Sequence, residues 1–176
     1  MRPYGRSGFE RNPMSFSICR HPERPGVYVL ETEQWLPRGI GEVFALFADA
    51  FQLEAITPPW LHFQVLTPRP ISMVPGTTID YRLRLHGLPV KWRSEISVWE
   101  PPFRFVDRQL LGPYRLWHHQ HAFAEQNGGT LVKDRVEYAV PGGPLVHRLF
   151  VRRDLERIFA YRRQRLGELL SAKKCS

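Results

Sequence analysis

Apolar and polar side chains alternate in Tyr28–Leu36 (YVLETEQWL), as on a half-buried strand, and Pro37-Arg38-Gly39 ends the pattern. Residues 40–47 place Val43, Phe44 and Phe47 on one helical face, so a short helix is predicted there. A second covers residues 50–56, where Pro58-Pro59 stops it. Strand-like segments then occupy residues 63–66, 77–85, 90–100, 104–110, 115–124 and 130–139. They are joined by Pro75-Gly76, His86-Gly87, Pro101-Pro102, Gly112-Pro113 and Asn127-Gly128-Gly129. Such short Gly and Pro links predict an antiparallel meander. After Pro141-Gly142-Gly143-Pro144 the period becomes helical, with Val151, Leu155, Ile158, Phe159, Leu166 and Leu169 along one stripe of a long helix reaching about residue 171. The expected class is α+β: about seven antiparallel strands, two short helices after the first, and one long C-terminal helix. A single helix with one apolar stripe packs most simply into the concave side of a curved sheet, which leaves an internal space.

The chain's 176 residues correspond to one domain, expected over residues 28–172 and large enough to bury a core without disulfide or metal. Residues 1–27 contain four prolines, three glycines and no period, and are expected to be a flexible basic extension, with Met14 as an alternative start. Residues 173–176 form a tail. No apolar run approaches the roughly 18 residues of a membrane helix, and the leader lacks the apolar core of a secretory signal. The two cysteines, Cys19 and Cys175, have no zinc-binding spacing and suit a reducing, cytoplasmic setting.

The net charge of +8 raises nucleic acid as a partner, and its distribution argues against one. Five arginines against two acids lie in residues 1–27, and nine basic residues against three acids in 147–176, so the stretch between carries −1. Arg148, Arg152, Arg153, Arg157 and Arg163, with Asp154 and Glu156 interspersed, read first as a solvated helix face. The sharper alternative is a docking surface for an anionic membrane or an acidic protein.

Strand parity locates the candidate site. Trp117, His119, His121 and Phe123 share one face, and His118 projects to the other. On residues 130–139 the set Thr130, Val132, Asp134, Val136 and Tyr138 faces inward, because Lys133, Arg135 and Glu137 must be solvated. Phe105, Asp107 and Gln109 are taken as inner, which leaves Arg104 and Arg108 in water. Ile79, Tyr81, Leu83 and Leu85 line another strand, and Trp92, Ser94, Ile96 and Val98 complete the wall. Arg162 falls four residues after Ile158 and four before Leu166, on the apolar stripe, where a charge-assisted pair with Asp107 or Asp134 is expected. Buried polar groups cost about 1–3 kcal/mol each when unsatisfied, so this set must pair internally, with water or with a ligand. The ligand-binding candidates are Tyr81, Trp92, Ser94, Asp107, Gln109, Trp117, His119, His121, Asp134, Tyr138 and Arg162.

The element order, together with Trp92-Arg93, Trp99-Glu100-Pro101-Pro102, Phe105-Val106-Asp107, Gln109, Gly112-Pro113-Tyr114, Trp117, His119, His121, Phe123 and the run from Arg152 to Phe159, resembles the SRPBCC (START/Bet v 1-like, polyketide cyclase/dehydrase) superfamily. The resemblance covers roughly residues 28–172 and is sharpest in the second half, where phrases match small stand-alone bacterial members. It implies a helix-grip fold with a deep cavity for a hydrophobic or amphipathic small molecule, and no single reaction, since the superfamily mixes cyclases, lipid carriers, hormone receptors and ring-hydroxylase subunits. Non-catalytic binding, with transport as an extension, is the favoured function. The alternatives are a purely structural polar network and a cofactor-free cyclase or dehydrase using His119 or His121 for proton transfer, oriented by Asp134, on a carbonyl-bearing substrate. No cofactor and no metal is expected. The pair His119-x-His121 lacks a third His or Cys at supporting spacing, and neither a phosphate loop nor a nucleophile elbow occurs.

Overall fold

Six strands follow one another as neighbours, and the first two strands of the chain close onto the last. The computed structural model describes residues 15–171. In it β1 (Phe16–Arg20), β2 (Tyr28–Leu36), β3 (Gln64–Val65), β4 (Thr78–Leu85), β5 (Leu88–Glu100), β6 (Arg104–Leu111), β7 (Leu116–Gln126) and β8 (Gly129–Ala139) form one antiparallel sheet. The spatial order is β1-β2-β8-β7-β6-β5-β4-β3. The chain crosses from β2 to β3 through α1 (Ile40–Ala48), α2 (Gln52–Ile56) and a 3-10 turn at Pro59–Leu61. After β8 come α3 (Gly143–Val146), a π turn (His147–Val151) and the long α4 (Arg152–Ser171). His86-Gly87 and Asn127-Gly128 both adopt positive φ, the backbone that closes two-residue hairpins. No helix among the described residues is long and apolar enough to cross a membrane.

Two expectations need correction. The flexible extension proposed for residues 1–27 contains β1, which makes the sheet eight-stranded rather than seven-stranded. Phe16 and Ile18 pack against the core, and the stretch beyond β1 is tied down: His21 Nδ1 accepts the backbone N–H groups of Glu23 and Arg24, and Arg24 pairs with Glu137. The remainder of that extension, residues 1–14, and the proposed tail, residues 173–176, lie outside the described residues. The second correction is a bulge in β5. Ile96 faces Asp107 while Val98 faces Val106, so Ser97 is extra and parity flips beyond it. Val98 leaves the inner wall and Trp99 turns inward, with its ring 5.2 Å from Phe44 and 5.7 Å from Phe105.

The helix α4 covers only part of the sheet. Leu155 and Phe159 pack with Tyr28, Leu30, Val136 and Tyr138 on β2 and β8. One end further along, Leu166 and Leu170 join Leu36, Phe123 and Val132 with the apolar face of α1. The opposite half of the sheet has its own cluster, Ala50, Val65, Ile79 and Tyr81, and a cavity lies between that cluster and α4.

His147 pins the start of the π turn to the sheet. Its ring stacks on Tyr28 with centroids 3.5 Å apart, and its Nε2 accepts the Tyr138 hydroxyl at 2.9 Å. Burial, reinforced by the charges of Arg152 and Arg20, holds its pKa below the ordinary histidine value. The imidazole is therefore neutral in the fold and gains a proton on unfolding at about pH 6.5. Its stabilisation is complete above that value and is lost as the pH falls below it. His147→Phe keeps the stack but leaves the Tyr138 hydroxyl unpaired. It is expected to cost about 1–3 kcal/mol at mildly alkaline pH and to flatten the fall in Tm between about pH 6.5 and 5. Thermal denaturation across that range checks both, and an unchanged slope would count against a neutral buried His147.

Candidate functional site

Register brings two carboxylates and two imidazoles into one buried group. Asp107 on β6 lies opposite His119 on β7, and His121 lies opposite Asp134 on β8, all on the inner face. The four side chains form a closed cycle. Asp107 Oδ2 is 3.2 Å from His121 Nε2, His121 Nδ1 is 2.7 Å from Asp134 Oδ1, Asp134 Oδ1 is 3.2 Å from His119 Nε2, and His119 Nδ1 is 3.6 Å from Asp107 Oδ2. The contact at 2.7 Å is an ion pair rather than a well-directed hydrogen bond. The Thr32 hydroxyl donates to Asp134 Oδ2 from β2. The imidazole centroids are 3.8 Å apart, and Phe105 stacks on His121 at 4.1 Å.

Burial pushes both carboxyl pKa values up, and the imidazoles more than reverse it. The His121 hydrogen bond, with the charges of His119, His121 and Arg162, holds Asp107 below the ordinary carboxylate range. The charge of His121 and contacts from both rings hold Asp134 well below it. Burial likewise lowers both imidazoles. His119 stays low because repulsion from His121 adds to burial, whereas the two carboxylates outweigh burial at His121 and raise it. His121 is thus the ring that keeps the proton, between two anions.

Of the eleven predicted site residues, eight line the cavity: Tyr81, Trp92, Ser94, Asp107, Trp117, His119, His121 and Arg162. Its volume is about 190 Å³. Trp92 donates its indole N–H to Ser94 Oγ and packs edge-on against Trp117. The other three lie elsewhere. Gln109 spends its amide on the β6–β7 turn, donating to the Tyr114 carbonyl at 2.7 Å and accepting the Tyr114 N–H. Gly112 permits that closure, since a Cβ there would lie 2.2 Å from Gln109 Oε1. Tyr138 is fully buried behind the wall on His147, and Asp134 sits behind the histidines, facing a separate space between β2, β8 and α4.

The expected pair between Arg162 and Asp107 or Asp134 is not formed among the described residues. Its guanidinium lies over the Phe47 ring, 5.5 Å from the centroid, its charge still acts on Asp107, and its buried Nε has no hydrogen-bond partner. Reasoning by strand parity also missed lining residues outside the long strands: Phe47 on α1, Phe63, Met73 and Tyr114. The phrase Gly112-Pro113-Tyr114 was the available signal, because a rigid turn holds its aromatic in place.

Metal-ligating capacity is present. Donor atoms of Asp107, His119 and His121 all lie within 4.8 Å of one another. The expectation of no metal weighed Asp134 as the carboxylate beside His119 and His121 and put that group aside for want of a third His or Cys, whereas the carboxylate grouped with the two rings is Asp107 from β6.

An antiparallel sheet holding a long C-terminal helix, with short helices after the first long strand, defines the helix-grip, Bet v 1-like fold, and this chain has it. Among similar solved structures is Ms6760 from Mycobacterium smegmatis, at 16% identity over 92% of this chain and 100% of that one, with a TM-score of 0.66. Ara h 8.0201 is similar at 15% identity over 84% and 100%, with a TM-score of 0.65. CV1439 from Chromobacterium violaceum is similar at 13% identity over 85% and 100%, with a TM-score of 0.67. The likeness is one of fold. No protein-family model matches the chain, and no curated protein matches it in sequence.

Removing one member of a buried charge pair strands the other. Asp134→Asn is expected to cost about 3–5 kcal/mol near neutral pH. Asp107→Asn should cost less, because that carboxylate is 19% exposed and can exchange its contacts for water. Urea denaturation of the two variants checks the order, and equal losses would contradict it.

Proposed function

We propose that the protein binds a small hydrophobic or aromatic molecule with one polar end in the cavity between the sheet and α4. The observation that carries this reading is a space of about 190 Å³ whose aromatic wall converges on the His119 and His121 rings, with Arg162 left short of a partner. Few polar groups in a mostly apolar wall are what orient a ligand without excluding its body. The volume lies below the roughly 300–1,000 Å³ of pockets that take drug-sized ligands, so it suits a body of one or two rings. Naphthol is the test ligand: calorimetry should give saturable one-to-one binding with a negative heat-capacity change. Leu83→Trp, which fills the wall from β4, should weaken it about tenfold or more. Non-saturable binding, or equal affinity in that variant, would sink the reading.

A second reading, cyclase-type or dehydrase-type chemistry, is favoured by one observation: two imidazoles stand side by side in the cavity wall, each backed by a carboxylate. The double variant His119→Gln, His121→Gln separates the two. Naphthol binding within about tenfold of wild type fits orientation alone, and loss of turnover on a carbonyl-bearing aromatic substrate with binding intact fits proton transfer.

We propose further that the protein docks peripherally on anionic membrane in a cytoplasmic setting. Leu145, Leu149 and Phe150 are 65%, 54% and 52% exposed beside Arg148, Arg152 and Arg153, the pairing of apolar and cationic groups that an interfacial surface uses. Vesicles of phosphatidylserine and phosphatidylcholine should cosediment the protein at low salt. Leu149→Asp with Phe150→Asp should abolish this, and retention by that variant would overturn it.

A further inference from the structure

The face of the buried cluster that looks into the cavity has the layout of a metal site. Two bonds of about 2.0–2.1 Å at a tetrahedral angle separate their donor atoms by about 3.3–3.4 Å. Asp107 Oδ2 is 3.2 Å from His121 Nε2 and 3.6 Å from His119 Nδ1, so the carboxylate oxygen already stands at ligand spacing from one nitrogen of each ring. The other nitrogen of each ring is engaged from behind. His121 Nδ1 and His119 Nε2 both lie against the same oxygen of Asp134, at 2.7 and 3.2 Å. A carboxylate behind a ligating imidazole fixes its tautomer and strengthens it as a donor. Here Asp134 accepts such a hydrogen bond from His119, lies against His121 Nδ1 without a well-directed one, and has its second oxygen held by Thr32.

Asp107, His119 and His121 line the cavity, whereas Asp134 does not. The three donors therefore share an open side toward the apolar space, the arrangement of sites with three protein ligands and one exchangeable position. Charge points the same way. A cation bound to both rings displaces the proton that His121 otherwise holds, and the two carboxylates then carry −2, which a dication balances without a guanidinium. Arg162 would then face the cavity with its charge free for a ligand.

We propose that Asp107 Oδ2, His119 Nδ1 and His121 Nε2 bind one divalent first-row transition ion of the zinc class, with Asp134 as the positioning residue. The occupant of the open position is an oxygen donor of the cavity ligand, and Arg162 selects an anionic one: a phenolate, enolate or carboxylate on an aromatic body. That last clause rests on the cavity reading, and the ion site does not.

The test is Co²⁺ titration of the full chain after treatment with a chelator. One equivalent should produce visible d–d absorption, and one equivalent of Zn²⁺ should remove it. His118→Gln, on the outer face, should keep the band. His119→Gln and His121→Gln should each lose it, with Co²⁺ affinity down about a hundredfold. Asp107→Asn repeats the test in a position the fold tolerates better, and circular dichroism of each metal-free variant establishes that it is folded. Asp134→Asn, measured on folded protein, should keep the band at shifted wavelength and weaken Co²⁺ about 10–100-fold. An unshifted band and unchanged affinity would remove its positioning role. Absence of a saturable band in wild type, or its persistence in folded His119→Gln, His121→Gln or Asp107→Asn, overturns the ion site. Naphthol binding to the metal-free protein is scored separately. Its failure with the Co²⁺ band intact sinks the cavity reading alone.

Discussion

Two carboxylates and two imidazoles buried in one cycle constrain the structure more than any apolar contact. An isolated ionised side chain in such surroundings is unsupportable, and breaking a buried pair costs several kcal/mol because the survivor has no solvent to turn to. The cycle works only if β6, β7 and β8 hold one register. A slip of β7 by one residue against β6 and β8 would send His119 and His121 to the outer face and leave Asp107 and Asp134 without partners inside. The polar group therefore specifies the pairing of three strands, while the apolar residues around it supply the net stabilisation.

A single helix against eight strands cannot cover a whole concave face. The stripe on α4 is spent on β2, β8 and α1, through Leu155, Phe159, Leu166 and Leu170. Space is left over β4 to β7, and the residues that line it are large: Trp92, Trp117, Tyr81 and Phe105. These rings narrow the space without closing it, so the cavity follows from the ratio of helix to sheet, and its modest size from the choice of aromatics.

Much of this was legible from alternation alone. On β7 and β8 the charged set Lys133, Arg135 and Glu137 and the apolar set around Phe123 leave one assignment, and His119, His121 and Asp134 follow from it. On β6 alternation alone is ambiguous, and Asp107 goes inward because that leaves Arg104 and Arg108 in water. Parity fails where the backbone adds or removes a residue, since the bulge at Ser97 reverses every position after it, and hydrophobicity could not reveal this because Val98 and Trp99 are both apolar. It was equally blind to hydrogen bonds made sideways. Gln109 points inward as expected and then folds back onto Tyr114, and Tyr138 is taken up by a histidine from the next element. The strand β1 was hidden by its length: five residues bracketed by proline-rich sequence carry too little alternation to stand out.

Arg162 is where the rules of stability and the demands of a site part company. A guanidinium on the apolar stripe, between Phe159 and Leu166, pays a desolvation penalty that a complete ion pair would offset, and the Asp107 carboxylate on the same cavity wall already feels its charge. The structure instead satisfies that carboxylate with imidazoles and leaves Arg162 over Phe47 with its Nε unbonded. Such a residue adds little to folding, since Met or Leu would pack on that stripe without the penalty. Its position becomes intelligible when the missing partner is an anion that enters and leaves the cavity, because a cation already paired within the protein would have nothing to give it.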